Sequence, residues 1–133
     1  MTDLDPRSAV GDLLSRYFRA VDSQDLEATL AVLGGVRLSQ PGRDLSDPAD
    51  VRAFYAAAYR DGGSSAHQLG NLTVETRDGE VAYWATYLRF RFEGEMPVLD
   101  RVGECEGRVR LAGPRPDWLE HRVGSFPLAR ATV

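Results

Sequence analysis

The chain has only two histidines, His67 and His121, and one cysteine, Cys105, so its means of moving protons or attacking carbon are few. Imidazole is the side chain that titrates near neutral pH without help, which makes His67 a candidate general acid or base. A core role is equally open to it, as a neutral ring bonded to Tyr17 or to a backbone carbonyl. Asp22 could orient a catalytic partner, although an aspartate at a helix junction is more often a cap. Cys105 and His121 would form a nucleophile and base if they met across neighbouring strands. A single buried cysteine is more usually a small apolar filler, and His121 on a last strand also reads as a half-exposed strand residue. These residues lie too far apart in sequence for the short ligand spacings of a zinc site, and no glycine-rich phosphate motif is present, so neither metal nor cofactor is implied.

Composition narrows the classes. A length of 133 residues with 43% apolar content supports one core, and one domain over residues 1–133 is expected. A formal charge of −4 argues against nucleic acid or an anionic membrane as partner, because both require a concentrated positive field. One cysteine excludes an internal disulfide. The polar, acidic start has no signal-peptide pattern, and no apolar run approaches a membrane span, so a cytoplasmic protein is expected.

The elements that must position these groups follow from periodicity. Val10, Leu13, Leu14, Tyr17, Phe18 and Val21 recur at the spacing of one helical stripe. Asp22 or Ser23 can cap a second helix carrying Leu26, Leu30 and Leu33, which Gly34-Gly35 ends. After an extended piece, Val36 to Ser39, and the Pro41-Gly42 turn, Asp47-Pro48 signals a third helix with Val51, Phe54, Tyr55 and Ala58 on one side. Beyond Gly63 the period becomes two. Strands are expected at Ala66 to Arg77, Glu80 to Phe92, Val98 to Leu111 and Trp118 to Leu128, the first two joined by an Asp78-Gly79 hairpin. Helices followed by a meander of strands predict an α+β fold in which the helices cover one face of a curved antiparallel sheet.

An ideal hairpin centred on Asp78-Gly79 pairs residues whose numbers sum to 157, placing His67 opposite Phe90 and Asn71 opposite Thr86. One face then holds His67, Leu69, Asn71, Ala82, Trp84, Thr86, Leu88, Phe90 and Phe92. It is uncharged, and it is taken as the pocket face. Val81, Tyr83 and Tyr87 fall on the other, whose exposure would favour burial against a second copy, hence a homodimer. A β-bulge would shift part of this register.

Together, Tyr17-Phe18-Arg19-Ala20-Val21-Asp22 with Asp25, Asp50-Val51-Arg52-Ala53-Phe54-Tyr55, His67, Asn71, Asp78-Gly79, Ala82, Gly103 and Trp118 to Arg122 resemble the nuclear-transport-factor-2-like superfamily and its SnoaL-like branch over nearly the whole chain. The resemblance implies a cone-shaped domain, usually dimeric, with a pocket between sheet and helices. Members include isomerases, cyclases and dehydratases as well as proteins that only bind or scaffold, so fold does not choose function. It also implies roles. His67 matches the strand histidine of dehydratases and cyclases. Tyr17 matches a tyrosine that donates to a substrate oxygen, and Asp22 an aspartate of the bile-acid dehydratase type. The base of ketosteroid isomerases would fall at Gln40 and their second oxyanion-hole acid near Gly107, which disfavours that mechanism. A second acid-base group of dehydratases would fall at Phe90.

The catalytic candidates are therefore His67, Tyr17 and Asp22. The pocket is expected to include Asn71, Trp84, Thr86, Leu88, Phe90, Phe54, Gln40, Cys105 and His121, with no metal site. The implied activity is dehydration, isomerisation or cyclisation of an apolar polycyclic or polyketide-like molecule. The alternative is a non-catalytic protein binding such a ligand.

Overall fold

The structure is a computed structural model that describes residues 5–126. Helix α1 (Pro6–Asp22) starts where Asp5 accepts a hydrogen bond from the Ser8 amide at 2.9 Å and Pro6 fills a position that needs no donor. Its stripe of Val10, Leu14, Tyr17 and Phe18 is buried. Helix α2 (Leu26–Leu33) is capped by Asp25, which accepts from the Ala28 amide at 3.0 Å. This corrects the expectation that Asp22 or Ser23 caps it. The chain turns through Gln24 at φ 54°, and Asp22 stays the last residue of α1 with a carboxylate no helix terminus needs.

Strands β1 (Arg37–Gln40) and β2 (Arg43–Leu45) precede α3 (Pro48–Asp61), whose cap is the expected Asp47. Strands β3 (Ser65–Arg77), β4 (Glu80–Glu93), β5 (Met96–Arg110) and β6 (Asp117–Ser125) complete one sheet in the order β2-β1-β6-β5-β4-β3. Its four long strands are the antiparallel meander read from the sequence. The short segment before Pro41 adds a strand that was not expected to pair, parallel to β6 with Leu38 beside His121, so the sheet is mixed. The expected end of the last strand at Leu128 lies outside the described residues. No helix among those described is long and apolar enough to cross a membrane.

Register decides which side chains reach the helices. Asp78 and Gly79 have φ of 51° and 80°, as a tight hairpin turn requires, and next to it Thr73 pairs Trp84 as the ideal hairpin predicts. Beyond that point a bulge intervenes, with the register shifting between Gly70 and Thr73, and His67 pairs Arg89 instead of Phe90. Asn71 sits in the bulge at φ 51°, a left-handed conformation that asparagine tolerates better than most residues. Leu72 is buried, close to Gly11 of α1, and its carbonyl accepts from the Arg7 guanidinium.

The expected pocket face is therefore split. His67 lies on the helix side because of the bulge, with Val81, Tyr83, Ala85 and Tyr87, all at most 4% exposed. Trp84, Thr86, Leu88 and Phe90 alternate with that buried set and fall on the opposite face, where Trp84 is 38% exposed. Asn71 is also exposed there and donates to the Thr86 hydroxyl at 3.0 Å. Tyrosines fill the inner face because β5 has glycines beneath them. A Cβ on Gly103 would stand 2.0 Å from Tyr87 Cζ, and one on Gly107 would stand 2.4 Å from the Tyr83 hydroxyl. The rings lie across the sheet where any other residue would lift them off it. With Val81, Tyr83 and Tyr87 covered by helices, the reason first given for a dimer no longer holds.

Candidate active site

Asp22 at the end of α1 grips the start of β3. Its Oδ2 accepts from the His67 amide at 2.8 Å, while Oδ1 accepts from Ser65 Oγ at 3.1 Å and lies 2.6 Å from His67 Nδ1. The His67 side chain is only 9% exposed and that of Asp22 22%. Phe18 stacks on the imidazole with ring centres 4.8 Å apart and planes 12° apart, so both the plane and the rotation of the ring are set. A carboxylate on Nδ1 makes that nitrogen the proton-bearing one and leaves Nε2 as the acceptor.

Tyr17 and Tyr55 share a hydrogen bond of 2.6 Å between their hydroxyls, and Gln40 is a further partner of Tyr55. Burial pushes both phenols well above the ordinary tyrosine range, so both remain neutral donors. One O–H serves the bond between them, and the other can turn to the Gln40 side chain or to a ligand in the cavity. Tyr59 on the next turn of α3 has its hydroxyl 2.7 Å from Thr29 Oγ1.

His121 is fully buried. Its Nδ1 lies 2.6 Å from the Tyr83 hydroxyl, which accepts from Trp118 Nε1 at 2.9 Å and has the Glu120 carbonyl as a more distant acceptor at 3.4 Å. Having accepted from Trp118, Tyr83 donates to the nearer acceptor, His121 Nδ1, and the imidazole proton stays on Nε2. Nε2 has no hydrogen-bond partner among the described residues. Burial pushes the His121 pKa down to about 3, so this ring is neutral at ordinary pH, not the half-exposed group a last-strand position suggests. Cys105 is fully buried in the core beside these residues, and burial pushes its thiol up to about 12. It is therefore a small apolar filler and not a pocket nucleophile.

These groups surround a cavity of about 210 Å³ between the helices and the inner sheet face. Of the residues named from sequence, Tyr17, Gln40, Phe54, His67 and His121 line it, while Asp22 stands behind His67. Asn71, Trp84, Thr86, Leu88, Phe90 and Cys105 do not. Sequence reasoning overlooked Tyr55, Tyr59, Gln24, Tyr87, Arg89 and Arg101, which also line it. Tyr55 and Tyr59 were recoverable from α3, since Tyr55 was already placed on the stripe beside Phe54. The two arginines were not, because nothing in their own segments says that the face they share with Tyr87 is the one the helices cover.

The family model for the SnoaL-like domain matches residues 2–118. The chain belongs to that family. No curated protein sequence matches this SnoaL-like chain significantly. Among solved structures, it is similar to a protein with a cystatin-like fold from Nostoc punctiforme, at TM-score 0.80, 15% identity and 96% coverage of each chain. A protein from Streptomyces avermitilis, named provisionally as a dehydratase of the NTF2-like family, is similar at TM-score 0.73 and 17% identity over 90% of this chain and 94% of that one. Another from Novosphingobium aromaticivorans, named provisionally as a scytalone dehydratase, is similar at TM-score 0.74 and 13% identity over 94% of each. Identities this low establish a shared SnoaL-like, NTF2-like fold and leave the chemistry to the site.

Proposed function

We propose that the protein catalyses proton transfer, in a dehydration, isomerisation or aldol-type cyclisation, on an apolar polycyclic or polyketide-like intermediate bound between sheet and helices. The observation that carries this reading is the Asp22–His67 pair at 2.6 Å, with its imidazole in the cavity wall. An imidazole oriented by a carboxylate on Nδ1 is a base at Nε2, and the carboxylate stabilises the imidazolium formed when a proton arrives.

In this mechanism Nε2 removes a proton from a carbon beside a substrate carbonyl. The electron pair moves onto the carbonyl oxygen, and the free O–H of the Tyr17–Tyr55 pair donates to the oxyanion. The imidazolium then returns its proton. Delivered to a departing β-hydroxyl it releases water, and delivered to another carbon it completes an isomerisation.

The test follows exchange of α-protons by NMR in D2O, using a panel of bicyclic aryl ketones and β-hydroxy ketones. Wild-type protein should accelerate exchange, and His67→Ala should slow it by roughly 100-fold. Exchange at the wild-type rate in His67→Ala, with ligand affinity alone changed, would instead favour the non-catalytic binding protein.

A further inference from the structure

The cavity lining contains two arginines, Arg89 and Arg101, and no aspartate or glutamate, in a protein whose formal charge is −4. The charged side chains that line the cavity are thus both cationic, against the net sign of the chain. The two arginines also differ. Arg89 donates to Asp100 at 3.0 Å, so its charge is already shared. Arg101 is half-buried and has no ion-pair partner among the described residues. Its neighbour is the Tyr87 hydroxyl, whose ring lies across Gly103 towards β5. A half-buried guanidinium that gives one of its five donors to Tyr87 and meets no carboxylate among the described residues has donors left for an anion.

Register gives the scale. Arg89 pairs His67 on one side and Arg101 on the other, so the three form one row across the inner face. Adjacent strands are about 4.8 Å apart, which separates the His67 and Arg101 backbones by roughly 10 Å. An engineered cavity of about 150 Å³ accepts a benzene, so this one suits roughly one to two fused rings.

We infer that the substrate is an aromatic or alicyclic carboxylic acid, its carboxylate held by Arg101 beside the Tyr87 hydroxyl and its ring directed along the row towards His67. This deepens the proton-transfer reading and rests on it for the identity of the reacting end. A planar carboxylate accepts two parallel N–H bonds from a guanidinium, and the half-buried setting strengthens the pairing relative to water. Arg89, committed to Asp100, contributes field more than contact. The tether also gives the reaction a direction, since an anchored acid presents the carbon about one ring-width away to the base.

Binding tests this separately from turnover. Equilibrium titration of the intact protein with 2-naphthoate and with its neutral isostere 2-naphthamide should show the carboxylate preferred by roughly 10- to 100-fold. The preference should shrink as ionic strength rises. Arg101→Gln should reduce it to within about twofold, while saturable binding of the amide shows that the pocket remains folded. Arg101→Lys should restore part of it, and Arg89→Gln should leave most of it. Repeating the titration in His67→Ala, whatever it does to either affinity, should preserve the preference for the carboxylate over the amide, so failure of the proton-transfer reading cannot imitate failure of this one. Equal affinity for the two probes, no saturable naphthoate binding, or a preference that survives Arg101→Gln overturns the inference.

Discussion

His67 and His121 face the same cavity, and in each Nδ1 is engaged at 2.6 Å, yet the two rings are different chemical objects. His67 meets a carboxylate, which can balance a positive imidazolium. His121 meets a phenol that is itself buried and fixed by Trp118, and burial there opposes any charge on the ring. The contrast shows that a pocket histidine becomes a proton carrier through what stands on its far nitrogen. Position on a strand does not supply that information. It is the end of α1, reaching over β3, that distinguishes the two.

The largest expected effect comes from removing the charge of the partner. Asp22→Asn keeps the size of the side chain and an acceptor for the His67 amide, but no longer stabilises the imidazolium or favours one tautomer. The proton-exchange rate should fall by roughly 100-fold. The corresponding change at the other ring, Tyr83→Phe, should leave exchange within about twofold, because His121 carries no proton in the proposed cycle. Exchange kinetics of both variants measured together would break the comparison if the two losses were alike.

A somewhat smaller effect concerns stability. The folded pKa of His121, at about 3, lies below the ordinary value of 6.5. For a histidine held neutral, the associated stability is fully present above pH 6.5 and is lost as pH falls from 6.5 towards 3. The slope is about 1.4 kcal/mol per pH unit, so roughly 2 to 3 kcal/mol should be lost by pH 4.5. Urea denaturation at pH 7 and pH 4.5 should show this decline in wild type. His121→Phe should lack that part of it, even though it removes the acceptor of the Tyr83 hydroxyl. Equal acid sensitivity in the two proteins would show that His121 can be protonated in place.

Much of the framework was legible in the sequence because periodicity and caps act locally. Asp47-Pro48, Asp78-Gly79 and the stripe ending at Val21 each fix an element from a few neighbouring residues. The site was less legible because it depends on register over long distances. Two residues in β3, Asn71 and Leu72, invert the side to which the preceding half of the strand points. His67 was placed in the pocket by an unbulged register that would have carried Trp84 and Phe90 in with it, and of the three only His67 faces the helices. Tyr83 and Tyr87 looked like outer-face residues because the glycines that accommodate them, Gly107 and Gly103, are on another strand. Asp22 resembled a cap because nothing local announces that Asp25 takes that role and leaves its carboxylate for β3.

The smallest effect tests the bulge itself, which keeps His67 and His121 on the same side of the sheet. Asn71 adopts φ 51°, where asparagine is tolerated, glycine is unstrained and a β-branched residue clashes with its own backbone. Asn71→Val should therefore destabilise the protein by about 1 to 2 kcal/mol, whereas Asn71→Gly should stay within roughly 0.5 kcal/mol of wild type. Loss of the Thr86 hydrogen bond is common to both variants, so it cannot account for a difference between them. Thermal denaturation measures that difference, and imidazole NMR signals show which histidine responds. A strained bulge should perturb the His67 ring, which lies on β3 four residues before Asn71, and spare the His121 ring, which is anchored through β4 and β6. If valine is accepted as readily as glycine, with both imidazole signals unchanged, then the left-handed turn at Asn71 is not what holds His67 against Asp22.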